Sequence, residues 1–478
     1  MNRSIIIYML GWIMNIEALF MLLPVLTAAV YKENIGYIYL GVAVVCGLLG
    51  FAWTRKKPKT KMFFAREGFV TVSLGWIILS FFGCMPFVIS GEIPHIIDAM
   101  FEIVSGFTTT GSSIIPKVEE LSKASLMWRS FSHWIGGMGI LVFILAILPM
   151  AGDYNMHIMR AESPGPSVSK LVPRIRTTAF FLYGIYVALT VLEIVLLLLG
   201  RIPMFDAVCT AFGTAGTGGF GIRSDSIAGY SPYIQVIVTI FMMLFGTNFA
   251  FYYLIIAKKV KDAFCMEEVK AYFAIFTAAT LLIAFNILSQ IGNVGDSLRH
   301  AAFQVASIMT TTGFATTDFD QWPEFSRTLL VMLMFIGACA GSTGGGIKVS
   351  RILMYMKTIK KELGILIHPR SVKIVMMDGK KLDHPVVRAA NIFLISYAGI
   401  LVASILLLTI DNFDFTTNVT AVISALNNIG PGLSLVGPAG NFAFFSGFSK
   451  YVLMFDMLAG RLEIFPMLLL FVPYTWKK

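Results

Sequence analysis

Long apolar runs divide this chain, separated alternately by short basic stretches and by stretches rich in glycine and threonine. Runs at 4–30 and 35–53 flank the polar turn Tyr31-Lys32-Glu33-Asn34, and the basic run Arg55 to Lys61 comes next. Each reaches the roughly 20 residues needed to cross a bilayer as a helix. From there one unit recurs four times: an apolar span, an amphipathic segment too short to cross, a glycine-bearing loop and a second apolar segment. The segments are 66–90, 97–113 and 126–148; 177–199, 205–221 and 231–257; 271–291, 300–314 and 327–356; and 387–410, 416–432 and 447–474. The pattern predicts an all-α polytopic membrane protein with two N-terminal spans and four repeats of span, half-helix and span in a pseudo-fourfold arrangement around one pore. The corresponding division is 1–61 for the N-terminal spans and 62–152, 153–260, 261–360 and 361–478 for the repeats.

The short segments carry the candidate chemistry. In the first, Asp98 is placed to cap a half-helix, Phe101, Val104 and Phe107 form its apolar face, and Thr108-Thr109-Thr110-Gly111 comes after them. In the third, Phe303, Ser307 and Thr310-Thr311-Thr312-Gly313 repeat the spacing of Phe101, Ser105 and Thr108 to Gly111. Weaker copies occur at Asp206 to Gly221 and Thr416 to Gly432, where Gly219 and Gly430 take the place of Gly111. Irregular backbone at membrane depth is tolerated only where it is buried in protein or lines water. Four such loops facing one axis can present carbonyl rings to a dehydrated cation, with half-helix C-termini adding negative potential. Glycine permits the φ values that aim carbonyls inward. The candidate ion-binding residues are Thr109, Thr110 and Gly111; Thr217, Gly218 and Gly219; Thr311, Thr312 and Gly313; and Asn428, Ile429 and Gly430, for a monovalent cation.

Composition agrees: 57% of residues are hydrophobic and 13% charged, with a mean hydropathy of +0.78, against ~45–50% apolar in soluble domains. The net charge of +10 does not indicate nucleic acid, because most Lys and Arg fall in the connections that one topology places on a single side. By the positive-inside rule that side is the cytoplasm, which holds both termini. The first run is longer than a signal-peptide core and reads as a retained span. The five cysteines lie in or beside apolar segments without a CxxC pair, so neither a disulfide framework nor a metal site is indicated. No constellation of nucleophile, base and orienting residue is present, and an enzyme is not expected.

Two further features stand out. Glycines 337, 341, 344, 345 and 346, interleaved with Ser342 and Thr343, should break the returning helix of the third repeat. Gly341, Ser342, Thr343, Gly344, Gly345, Gly346 and Lys348 are therefore candidates for an intramembrane gate; the competing reading is a small-residue helix that packs closely. The spacing fails the phosphate-loop pattern and no strand precedes it. Arg461, within the last apolar segment, is costly at depth. It reads either as a charge beside the ion path, also part of the gate, or as the partner of Asp456 or Glu463. His133 and Trp134 read as an interfacial aromatic belt, and Glu17 and Glu193 as helix-packing partners or proton relays.

The four loops, His133 to Ile140, the glycine-rich break and Arg461 together resemble the Trk/Ktr/HKT superfamily of cation transporters, and the two extra N-terminal spans resemble its Trk branch. The resemblance implies that Gly111, Gly219, Gly313 and Gly430 are filter glycines, 337–348 a gating loop and Arg461 a pore arginine. It further implies potassium uptake through a channel-like path across a bacterial inner membrane, a homodimer, and a cytoplasmic nucleotide-binding ring protein as regulatory subunit. Glycine at 111, where sodium-favouring plant relatives often carry serine, implies potassium. The second and fourth loops depart from the first and third, which implies an imperfect fourfold site. A sodium- or proton-coupled alternating-access carrier is the alternative, although such carriers commonly show inverted repeats.

Overall fold

The computed structural model describes residues 1–58, 64–139, 175–371 and 373–477. Among these, six helices are long and apolar enough to cross a membrane: Arg3–Tyr31, Gly36–Thr54, Ala65–Ser90, Phe180–Leu199, Glu267–Ile291 and His384–Asp411. They are the two N-terminal spans and the outgoing span of each repeat. Every outgoing span leads to a half-helix, at Ile96–Phe107, Met204–Gly216, Val294–Met309 and Phe415–Asn427. The first half-helix starts earlier than expected: His95 occupies the N-cap and Asp98 lies within the first turn, where its carboxylate accepts from Lys450 Nζ at 2.6 Å. The N-terminal pair docks on the first repeat. Glu33 in its turn accepts from the Lys123 and Ala124 amides, and Tyr39 Oη meets Ser125 Oγ at 3.0 Å.

The returning segments depart from the expected single spans. In the first repeat, helix Lys123–Met138 is described, and 140–174 lie outside the described residues. In the second, Pro232–Phe245 and Phe249–Ile256 meet at 87°, with the Asn248 side chain capping the second piece at Ala250 N. In the third, Glu324–Ile336 and Val349–Ile367 flank a nonhelical stretch, so the close-packed small-residue helix is excluded. In the fourth, Gly447–Arg461 ends at Glu463 and Ile464, with φ of 54° and 70°, before Phe465–Phe471. Sequence pattern reveals only the glycine-rich break. The others use a single glycine or none: the second is capped locally by Asn248 and bonded to the third repeat through Cys339 N to Gly246 O, and the fourth closes on itself through Ile464 N to Ala459 O.

Candidate functional site

Each half-helix ends in the same way. The amide of the residue after the left-handed position returns to a carbonyl five residues back: Thr110 to Ser105, Gly218 to Gly213, Thr312 to Ser307 and Ile429 to Ser424, at 2.8 to 3.0 Å. The preceding residue bonds three back, completing a Schellman motif whose left-handed position normally falls to glycine. Here it falls to Thr109, Thr217, Thr311 and Asn428, with φ of 54° to 57°. A left-handed β-branched residue is an outlier, and such strain persists only where surrounding structure enforces it. Two residues on, Gly111, Gly219, Gly313 and Gly430 again have positive φ, from 74° to 107°. The alternation gives the four loops one backbone course.

The four loops close into a ring. A Cβ placed on Gly111 would overlap the Gly218 carbonyl oxygen, one on Gly219 that of Thr312, and one on Gly313 that of Ile429. On Gly430 it would lie 2.9 Å from the Thr110 oxygen, completing the circuit. Each glycine thus abuts the residue before the matching glycine of the next repeat, so that the repeats succeed one another around a single axis. Above the glycines opens a cavity of about 160 Å³, lined in part by Ser112, Ser113, Gly221 and Pro431. Loops 1 and 3 are braced internally by the hydroxyl pairs Thr108–Thr110 and Thr310–Thr312, 2.8 and 2.7 Å apart. Loop 4 relies on Asn428, whose amide donates to Thr110 Oγ1 at 3.0 Å and Met457 O at 2.8 Å.

Behind loops 1 and 2 lies an ion pair that periodicity did not disclose. The Arg129 guanidinium meets Glu102 at 2.7 Å, the two side chains being 2% and 0% exposed. Glu102 also accepts from Ser113 Oγ and the Ile114 amide, while Arg129 reaches Gly221 O and sits 4.2 Å from the Phe220 ring. His133, expected in an aromatic belt, is instead fully buried between the first half-helix and loop 2. A histidine and a charge within a returning helix give no signal that separates these roles.

The nonhelical stretch of the third repeat lies directly beneath the ring. Gly345 N donates to Thr311 Oγ1 at 2.6 Å, and Gly344 and Gly345 leave no room for a Cβ against Thr310 O and Asn427 O. Its other edge pairs with the bend of the second repeat through Cys339 N to Gly246 O and Phe249 N to Gly341 O, both 3.0 Å. Glu268 gathers its two ends, accepting from Ala340 N at 2.6 Å and Ser350 N at 3.1 Å. Lys348 Nζ bonds Gly344 O. Arg461 donates to Thr343 O at 2.9 Å, Gly137 O at 2.8 Å and Gly136 O. The two carboxylates expected as its partners are engaged elsewhere: Glu463 with Arg351 at 2.6 Å and Asp456 with Ser404. Every candidate gate residue from Gly341 to Lys348, with Arg461, therefore belongs to one assembly under the ring. Among the described residues, no group of His, Cys, Asp and Glu side chains is arranged to hold a metal ion.

Two N-terminal spans and four like-oriented units of span, half-helix and span, meeting at a ring of loop backbone, define a polytopic membrane protein of pseudo-fourfold symmetry. The family model described as TrkH, cation transport protein, matches residues 37–478, and the chain belongs to that family. It is 38% identical over 485 residues to the Trk system potassium uptake protein TrkH of Vibrio parahaemolyticus, covering 99% of both chains. It is 37% identical to the Salmonella typhimurium TrkH, covering 96% of each, and 32% identical to the Escherichia coli potassium uptake protein TrkG over the whole of both. The crystal structure of the potassium transporter TrkH from Vibrio parahaemolyticus superposes with a TM-score of 0.89 at 35% identity, covering all of each chain.

Proposed function

We propose that this chain takes up potassium across a bacterial inner membrane through a channel-like path on the axis of its four repeats. The observation that carries the proposal is the closed circuit of glycines, each preceded by a strained left-handed residue and each packed on the next loop's carbonyl. Such a ring supplies oxygen ligands of fixed spacing without side-chain charge, as selection among monovalent cations requires. Thr109 to Gly111, Thr217 to Gly219, Thr311 to Gly313 and Asn428 to Gly430 form the filter. The stretch from Gly341 to Lys348 closes the path below it, held by Arg461. The basic connections face the cytoplasm with both termini; a nucleotide-binding ring protein docks there, on a homodimer of this chain. The test is flux in proteoliposomes containing this chain alone or with such a partner, under K⁺, Rb⁺, Na⁺ and Li⁺ gradients. Downhill K⁺ and Rb⁺ flux should exceed Na⁺ and Li⁺ flux, and Gly111→Ser should lower the ratio. Uphill K⁺ movement driven by a proton or sodium gradient, or a Gly111→Ser ratio equal to that of the parent, would overturn the proposal.

A further inference from the structure

Loop 2 lacks the hydroxyl pair that braces loops 1 and 3. At the positions of Thr108 and Thr110 it carries Gly216 and Gly218, yet its backbone takes the same course. The vacated space is occupied from outside the loop by a residue of the first repeat. A Cβ on Gly218 would overlap the imidazole of His133, and one on Gly216 would overlap the His133 carbonyl. The ring is fixed at both nitrogens. Phe220 N–H donates to Nε2 at 3.2 Å, so the proton resides on Nδ1, which donates to Gly106 O at 2.7 Å. The Phe220 ring lies 4.2 Å from the imidazole and 4.2 Å from the Arg129 guanidinium, one turn earlier on the same helix. The residues at the same step of the other returning helices are Met242, Met334 and Met457, all buried. A repeat therefore needs only an apolar side chain here to pack.

We infer that His133 is a positioning residue for ion selectivity, supplying in trans the brace that loop 2 does not contain, an inference that rests on the filter reading. The test is a cycle of His133→Ala, Gly218→Thr and the double variant, read as the K⁺/Na⁺ flux ratio in proteoliposomes, with Gly111→Ser as reference. His133→Ala should lower the ratio about tenfold, the scale of one lost hydrogen bond. Gly218→Thr alone should do at least as much harm, because its side chain collides with the ring. The double variant should recover part of the ratio, since the threonine then occupies the space the imidazole has left. A purely structural role would give no such rescue. His133→Ala with the parent ratio while Gly111→Ser shifts it, or Gly218→Thr equally harmful in both backgrounds, would overturn the inference alone. If neither variant moves the ratio, the filter reading falls and this inference with it. Should His133→Ala not assemble, His133→Asn carries the same cycle.

Discussion

Replacing Glu102 by glutamine leaves the Arg129 guanidinium, 2% exposed, without its counter-charge at almost unchanged volume. Removing one partner of a buried pair costs about 3–5 kcal/mol, because the remaining charge cannot be rehydrated. The amide oxygen can still accept from Ser113 or Ile114, so the lower end, about 3 kcal/mol, applies to Glu102→Gln. Arg129→Met should cost a similar amount: the carboxylate keeps its bonds to Ser113 and Ile114 but loses the guanidinium that meets it at 2.7 Å. With both changed, no buried charge remains, and the double variant should lie well short of the sum, with a coupling of about 2 kcal/mol or more. Equilibrium unfolding of the purified protein in mixed micelles titrated with dodecyl sulfate measures all three. Because the pair ties the first half-helix to Gly221 beside loop 2, the single variants should also lower K⁺/Na⁺ discrimination before they abolish flux. Single variants costing less than about 1 kcal/mol, or strict additivity, would refute the reasoning.

Glu268→Ala removes the acceptor that joins both ends of the stretch under the ring. Loss of charge-assisted hydrogen bonds at about 1.5–3 kcal/mol each should raise basal K⁺ flux at least about tenfold, and unchanged or reduced flux in a folded protein would count against a gate there. Arg461→Ala frees the carbonyls of Thr343, Gly136 and Gly137 and should likewise increase flux; single-channel recording separates a higher open fraction from a higher unit current. Asn428→Ala deletes the amide bonds to Thr110 and Met457 and places alanine at a left-handed φ of 55°. It should destabilise by about 2–4 kcal/mol, measured in the same unfolding titration, and should widen the ion preference.

The repeat plan was legible because it is written in composition. Span, half-helix and loop differ in apolar length, and the TTTG loops at Gly111 and Gly313 share their spacing with half-helix residues such as Ser105 and Ser307. Glycine clustering likewise pointed to the break at 337–348, since five glycines lower helix propensity there, although a closely packed small-residue helix remained compatible with the same residues. The features that stayed hidden depend on contacts between repeats. Thr109, Thr217 and Thr311 occupy the left-handed site that helix-ending rules assign to glycine, so a reading of local propensity finds the left-handed turn at the filter glycines, two residues too late. The bend at Gly246 is bonded to a partner distant in sequence, Cys339, and the turn at Ile464 closes back on Ala459 with Glu463 and Ile464, rather than glycine, at its left-handed positions. Glu102 and Arg129 are isolated charges within their half-helix and returning helix, and Glu268 is one of two glutamates opening a span; a solvated position looks the same in sequence.

The departures of loops 2 and 4 from the TTTG pattern have a physical explanation in this assembly. Fourfold symmetry requires four equivalent backbones, not four equivalent side-chain sets, and a backbone can be enforced from either side. Loops 1 and 3 enforce theirs with their own hydroxyls. Loop 2 borrows an imidazole from the first repeat, and loop 4 spends an asparagine amide on Thr110 and the returning helix behind it. Because the first repeat supplies Thr110, Glu102, Arg129 and His133 to these contacts, it buttresses both of its neighbours in the ring. Substitutions in the first repeat should therefore disturb ion preference more widely than matching substitutions in the third, whose half-helix and loop, among the described residues, lend no such side-chain brace to loop 4.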